Sequence, residues 1–396
     1  MTVNGENMIS ILSKIFIKNN KDFGSAEVRS AYGMLCGGVG IFLNILLSII
    51  KFAAGSLSGS VAIMADAGNN LSDAGSSLVT LFGFKLASQK PDKDHPFGHG
   101  RFEYISGLVV AFLIIHMGFD LAKSSFLKIL KPTEIDVSAV SVAILVISVI
   151  IKLYMFLYNH IIGKKINSSA MRATSADSVS DCIATTVIII SMLIARFTGF
   201  NADGWCGLVV SLFIVYAGIN AAKETINPLL GEPPSKEFVD DIYSLVMSYP
   251  EVLGIHDLVV HDYGPGRVMV SLHAEVSDKA DLLETHDVID NIEKHLSEKL
   301  ECSAVIHMDP IASDDEDTTV LREDISNFIA EEFEGILSIH DFRVVKGNTH
   351  TNVIFDVVVP FDSKLSDSDI KSKINEHLSR MSTPHFAVIT VDRSYV

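Results

Sequence analysis

Six apolar stretches, each close to the length that crosses a bilayer, fill most of the first 230 residues: about Met34–Ala54, Leu57–Ala87, Tyr104–Leu130, Val137–Ile162, Ala170–Thr198 and Trp205–Ile226. A hydrocarbon core roughly 30 Å thick takes about 20 helical residues to span. No water is available there to satisfy open backbone groups, so this pattern restricts the chain to a bundle of spanning helices. The second and fifth stretches are the least hydrophobic. Each carries two oxygen-bearing side chains four residues apart, Asn69 with Asp73 and Asp177 with Asp181. Positions i and i+4 share a helix face, so each pair offers two oxygens to one object.

Ionisable groups inside a bilayer are costly; they face the bundle interior, where they line ion paths or pair with one another. Three carboxylates and one carboxamide, with no basic residue adjacent, form a hard oxygen cage suited to a divalent cation. A cluster that merely ties helices together is the alternative, but three carboxylates without a cation would repel one another. Carboxylates grouped in this way retain protons when the cage is empty and lose them to a bound dication, so metal and protons compete.

Charge divides the chain near residue 230. From Gly231 onward 33 Asp+Glu stand against 13 Lys+Arg, leaving 15 and 18 in the first 230 residues; the balances are −20 and +3. An acidic second part argues against nucleic-acid binding, which needs a basic surface, and it concentrates cations. The four cysteines are scattered with no Cys-x-x-Cys, so neither a disulfide framework nor a thiolate zinc site is indicated. No phosphate-binding loop and no nucleophile–base constellation occurs, which disfavours an enzyme or an ATP-driven pump. The polar segment 1–30 contains one short apolar patch, Met8–Ile17, without the length or cleavage signature of a signal peptide.

Basic residues cluster on one side of the spans. Four Lys/Arg precede the first; Lys85, Lys90, Lys93 and Arg101 surround the second loop, and Lys164, Lys165 and Arg172 the fourth. The opposite loops, Gly55–Ser58, Lys131–Asp136 and Gly199–Gly204, are short and nearly uncharged. The positive-inside rule places both termini in the cytoplasm, in a multi-pass protein of the cytoplasmic (inner) membrane.

After Gly231-Glu-Pro-Pro234 the pattern changes to a soluble α/β unit. Lys236–Tyr249 reads as an amphipathic helix, Gly254–Tyr263 and Arg267–Val276 as strands about a Gly264-Pro-Gly266 turn, Leu282–Leu300 as a helix and Ser303–Met308 as a third strand. This order fits a small α+β sandwich. It then recurs: Ile255-His-Asp as Ile339-His-Asp, Ile292-Glu-Lys-His-Leu-Ser as Ile374-Asn-Glu-His-Leu-Ser, and Ala304-Val-Ile-His-Met-Asp as Ala387-Val-Ile-Thr-Val-Asp, at offsets of 84, 82 and 83. An acidic linker, Asp314–Asp317, joins the copies. The expected division is 1–30 N-terminal segment, 31–230 spanning domain, 231–312 first α+β domain and 318–396 a degenerate second copy.

Over residues 30 to about 310 the chain resembles the cation diffusion facilitator family of divalent-metal exporters. The matching text is Ala65-Asp-Ala-Gly-Asn69-Asn-Leu-Ser-Asp73, His95-Pro-Phe-Gly-His99-Gly-Arg-Phe-Glu103, Arg172-Ala-Thr-Ser-Ala-Asp177-Ser-Val-Ser-Asp181 and Val305-Ile-His307-Met-Asp309-Pro. Together these are specific; each alone is weak. The resemblance implies an α-helical membrane protein with a six-helix transmembrane bundle, followed by a cytoplasmic α+β (ferredoxin-like, metallochaperone-like) domain, here duplicated. It also implies a homodimer that exchanges cytoplasmic metal for protons by alternating access.

By family position Asn69, Asp73, Asp177 and Asp181 form the transport site. Zinc-moving members usually carry His where this chain has Asp177. Oxygen ligands suit Mn²⁺ better than an imidazole site does, and the four residues resemble the manganese-exporting branch, so Mn²⁺ is expected ahead of Fe²⁺, Zn²⁺, Co²⁺ and Cd²⁺. Asp92, His95 and His99 fall where some members bind a second ion, although the same loop motif also serves to shape the chain. His256, His273, His286, His307 and Asp309 match cytoplasmic sites of zinc-binding members, so Zn²⁺ or a similar ion is expected there. The second copy keeps His340 and Asp392 but has Val357 for His273 and Thr390 for His307, so no metal site of its own is expected in it. Alternatives to Mn²⁺ export are a broad Zn²⁺/Co²⁺/Cd²⁺/Fe²⁺ exporter of the same family and a membrane metal sensor that moves nothing.

Overall fold

Among the described residues seven helices come first: α1 (Met8–Phe16), α2 (Ala26–Ser58), α3 (Val61–Ala87), α4 (Phe102–Leu130), α5 (Ala139–Lys165), α6 (Ser169–Thr198) and α7 (Asp203–Leu230). The computed structural model describes residues 8–58, 61–131, 139–198, 203–311, 316–333, 335–336, 338–346, 351–381 and 385–394. Most of the expected uncharged loops at 131–136 and 199–204, and Asp314 and Asp315 of the acidic linker, lie outside the described residues. Two units result, Met1–Glu232 with Asp262–Arg267, and Pro233–His261 with Val268–Val396.

Among the described residues α2, α4, α5, α6 and α7 are long and apolar enough to cross a membrane. Helix α3 equals α5 in length at 27 residues but is more polar, and its polarity is turned inward. Asn70, Asp73, Ser76, Ser77 and Thr80 are buried while Leu71, Leu78 and Phe82 are exposed. A soluble amphipathic helix has the reverse arrangement; an apolar exterior over a polar interior is what a bilayer selects.

Small residues bring α2 close to α3. A Cβ at Gly33, Gly37 or Gly40 would lie 2.3 Å from the Phe84 ring, 3.0 Å from Leu81 Cβ and 2.8 Å from Ser77 Oγ. With no hydrophobic drive between helices in lipid, such close backbone contact supplies the packing attraction. Helices α4 and α7 pack through Val110, Ala111 and Ile114 against Val210 and Ile214. Helix α2 begins earlier than its apolar run because polar residues extend it: Arg29 is buried, with Nη2 3.7 Å from Glu103 Oε1. Hydropathy is blind to such an extension.

The second unit contains α8 (Lys236–Val246), β1 (Val252–Asp262), β2 (Val268–Ser277), α9 (Leu282–Leu300), β3 (Cys302–Ile311), α10 (Glu316–Glu332), β4 (Ser338–Lys346), β5 (Thr351–Pro360), α11 (Asp367–Ser379) and β6 (His385–Ser394). The starts of α8, α9 and α11 are capped by Ser235, Asp281 and Ser366, whose side chains accept the free N–H groups of the first turn. Two three-stranded sheets form, ordered β1-β2-β3 and β4-β5-β6.

Both sheets pair their last two strands in parallel, and the registers correspond. Val268 faces Cys302 in one and Thr351 faces His385 in the other, each pair 34 residues apart and displaced by 83 between sheets. Asp257 and Asp341 adopt the same left-handed backbone, with φ of 52° and 54°. Each sheet has its own core. Val270, Leu272 and Ala274 alternate inward onto Ile289, Ile292 and Leu296; Val353, Phe355 and Val357 do so onto Ile370, Ile374 and Leu378. That period of two is the signature of a strand with one buried face.

Candidate metal-binding sites

Helices α3 and α6 run past each other in opposite directions and bring three acids together. Asp73, Asp177 and Asp181 each place a carboxylate oxygen within 4.8 Å of the others. The Thr80 and Thr174 hydroxyls meet at 2.8 Å. Thr80 follows Asp73 by seven residues and Thr174 precedes Asp181 by seven, about two turns each, so this bond sets the register that aligns the acids. Asp73 and Asp177 are buried and Asp181 nearly so.

Two features of this cage lie outside what spacing along the chain specifies. Asn69 lies one turn before Asp73 and is exposed, whereas the neighbouring Asn70 is buried and accepts a bond from Lys51 Nζ at 3.3 Å. The absence of an adjacent basic residue holds along the chain but not in space. Lys152 of α5, 3% exposed, places Nζ 2.7 Å from Asp73 Oδ2 and 2.6 Å from Asp181 Oδ2. Three carboxylates and one ammonium leave two negative charges when all are ionised, which matches a dication. Lys152 was legible as an ionisable residue inside an apolar span; its partners were not, because they come from other helices.

In the segment between α3 and α4, Asp92 Oδ1 accepts the backbone N–H of Asp94 at 3.0 Å and of His95 at 2.7 Å. Its carboxylate oxygens also lie 3.4 Å from His95 Nδ1 and from His99 Nε2. The His95 backbone bond, with the nearby imidazoles, holds the Asp92 carboxyl below its usual range. His99 is buried and its Nδ1 has no hydrogen-bond partner. Three ligands therefore converge here on the same bonds that shape the turn.

Three of the four histidine candidates in the second unit gather around the fifth candidate, the Asp309 carboxylate. His273 and His307 are register partners on β2 and β3. Asp309 Oδ2 stands 2.8 Å from His273 Nδ1 and 3.2 Å from His256 Nε2, and Oδ1 lies 3.2 Å from His307 Nε2. His286 does not join them: it is exposed on α9, with Nδ1 3.6 Å from Asp290. Asp257, which sequence reading passed over, does join, within 4.8 Å of His256 and His273. Its left-handed backbone turns it from the plain strand alternation, which explains why periodicity gave no warning.

The second sheet also contributes. His340 of β4 stacks on His256 with ring centroids 4.5 Å apart, and His340 and Asp392 group with Asp257 within 4.8 Å. Burial, with the neighbouring His256, holds His340 below the ordinary imidazole range. Burial and the nearby Asp356 raise Asp392 above the usual carboxylate range.

Comparison with known proteins accounts for most of residues 39–311. Residues 39–230 match the cation efflux transmembrane domain and 234–311 the cytoplasmic domain of cation efflux proteins. An uncharacterized transporter of Methanocaldococcus jannaschii is 30% identical over 268 residues, 67% of this chain and 94% of the relative. The cation-efflux pump FieF of Salmonella typhimurium, like that of Salmonella enteritidis, is 28% identical over 287 residues, 72% of this chain and 95% of the pump. Residues 312–396 lie beyond both matched domains. A polar cage within apolar helices, followed by an α+β unit of this kind, thus has a defined ancestry: the chain belongs to the cation efflux, or cation diffusion facilitator, family of membrane transporters.

Proposed function

We propose that this protein exports Mn²⁺ from the cytoplasm in exchange for protons, by alternating access in a homodimer with six spans per chain and both termini cytoplasmic. Convergence of Asp73, Asp177 and Asp181 inside an apolar bundle carries the proposal. Asn69, one turn from Asp73, is the fourth oxygen of the set. Oxygen-only coordination favours a harder cation than zinc. The cargo competes with protons for the same carboxylates, which is the chemistry of antiport.

Lys152 adds a step to this cycle. Its ammonium bridges Asp73 and Asp181. A dication attracts the same oxygens about twice as strongly at equal distance, so entry of metal displaces the tethered charge. Its return after metal release restores the compensated cage. The buried ion pairs thereby avoid leaving bare carboxylates in the membrane interior, the arrangement that costs most.

The Asp92–His95–His99 cluster is proposed as an accessory ion site beside the transport path. His256, His273, His307 and Asp309, with His286 presented on an exposed helix face, are proposed to bind Zn²⁺ or a similar ion as a cytoplasmic sensing site. Matching strand order, register and backbone irregularity support duplication of one α+β unit, with boundaries at 231–312 and 318–396.

Lys152 also favours a second reading. A cage whose charge a lysine already compensates in part would suit a membrane metal sensor that moves nothing. Flux in proteoliposomes under a pH gradient separates these readings, with Mn²⁺ and Zn²⁺ compared for wild type and Asp181→Ala. Mn²⁺ flux that exceeds Zn²⁺ flux and vanishes in the variant supports export of manganese. Zn²⁺ preference retains the transporter and overturns the metal. Absence of both fluxes, with metal still bound, favours the sensor.

A further inference from the structure

The second α+β repeat has lost two of the imidazoles that make the first a metal site, yet its two remaining ligands point at the first repeat. His340 and Asp392 stand 84 and 83 residues after His256 and Asp309. The two equivalent histidines meet across the gap between the two sheets, with the His256 and His340 rings stacked at 4.5 Å and 20°. The carboxylate of Asp257 lies between them and shares a 4.8 Å cluster with each side, His256 and His273 on one and His340 and Asp392 on the other.

Several observations indicate a ligand rather than a settled polar contact. His256 and His340 are only 5% and 7% exposed. Nδ1 of His256 and Nδ1 of His340 make no hydrogen bond, and Nε2 of His256 makes none either, although it lies 3.2 Å from Asp309 Oδ2. Buried polar atoms normally have partners, and orphans of this kind mark an ion or other group that completes them. A cleft of about 880 Å³ reaches these atoms, bordered by His256, Asp257, His273, His340 and Asp392. Neutral imidazole and carboxylate are the ordinary ligands of zinc-class dications.

We propose that Asp257, His340 and Asp392 form a second divalent-metal site across the two repeats, with Asp257 bridging it to the first-repeat cluster. The ion is of the Zn²⁺ class, with Co²⁺ as a spectroscopic substitute. Small side-chain rotations bring three ligands to bonding distance and leave a fourth position for water or for a nitrogen of His256. Metal then clamps the second repeat to the first within one chain. The second repeat forms no site alone, as its sequence indicates, and completes one jointly. This site does not depend on what the membrane unit transports, because metal binding is read without flux.

Co²⁺ titration of the detergent-purified full-length protein tests it, by bound metal per chain and by visible d–d absorption. His340→Gln and Asp392→Asn are each expected to bind one Co²⁺ fewer per chain and to lose the corresponding absorption. Thr390→Ala, at the position where the first repeat has His307, is expected to match wild type. Wild-type stoichiometry and spectrum in both ligand variants would overturn the site, as would an equal loss in Thr390→Ala. Asp392 is half-buried and Asn is nearly isosteric with it, so that variant decides the question where His340→Gln unsettles the repeat.

Discussion

Lys152 on α5 donates to Asp181 on α6 at 2.6 Å, inside a bundle whose outer surface is apolar. The same ammonium reaches Asp73 on α3 at 2.7 Å. Three helices are therefore joined at one cation, at the place where the family resemblance puts the cargo. The ammonium compensates part of the charge of the three carboxylates, so any cation that enters this cage competes with a charge already present.

Replacing Lys152 by Met should expose this competition. Removing one partner of a buried ion pair costs roughly 3–5 kcal/mol, so the variant should unfold at a lower temperature in metal-free detergent. Added Mn²⁺ takes over the vacated role, and its stabilisation should be larger for the variant than for wild type. Thermal unfolding with and without Mn²⁺ checks this; equal metal-induced shifts would remove Lys152 from the site.

Asp177→His should move selectivity toward zinc. An imidazole nitrogen replaces one oxygen in the cage, and softer borderline ions gain relative to Mn²⁺. The Zn²⁺ to Mn²⁺ flux ratio should rise by about tenfold, equivalent to roughly 1.4 kcal/mol. A fixed ratio would show that Asp177 does not contact the cargo.

Gly40→Val should destabilise the membrane unit. A Cβ there already lies 2.8 Å from Ser77 Oγ and 3.4 Å from Tyr158 Oη, so added methyl groups must force α2 from α3. Overpacking of this kind costs about 1–3 kcal/mol. Unfolding temperature in detergent should fall, while Gly38→Ala, where nothing stands within 4 Å of an added Cβ, should behave as wild type.

A chain ending at residue 312 should still insert and transport. The two α+β cores are separate clusters of side chains. The relatives align over 94–95% of their own length to only 67–72% of this chain. Flux in proteoliposomes should stay within about twofold of the full chain; roughly 1.4 kcal/mol of barrier change, a factor of ten, would give the second repeat a direct part in transport.

Much of this was legible along the chain. Helix positions followed from apolar length, and the strands Val252–Asp262 and Val268–Ser277 from alternation about the Gly264-Pro-Gly266 turn. The acids at 73, 177 and 181 stood out because a carboxylate within an apolar run is costly unless something compensates it. Helix spacing could not decide whether Asn69 or Asn70 is buried, since α3 turns only about 100° between them.

Sequence by itself determined the change in composition near residue 230, the long apolar helices, the α+β order of the second part and the acids that converge on α3 and α6. Only the tertiary structure decided that Lys152 fills the cage, that His286 stands apart from His256, His273 and His307, and that His340 and Asp392 face Asp257. The physical reason is one of range. Periodicity and hydropathy report what a residue's own helix or strand requires, whereas a buried charge or imidazole is satisfied by partners on other elements, 79 residues away for Lys152 and Asp73, whose approach is set by packing.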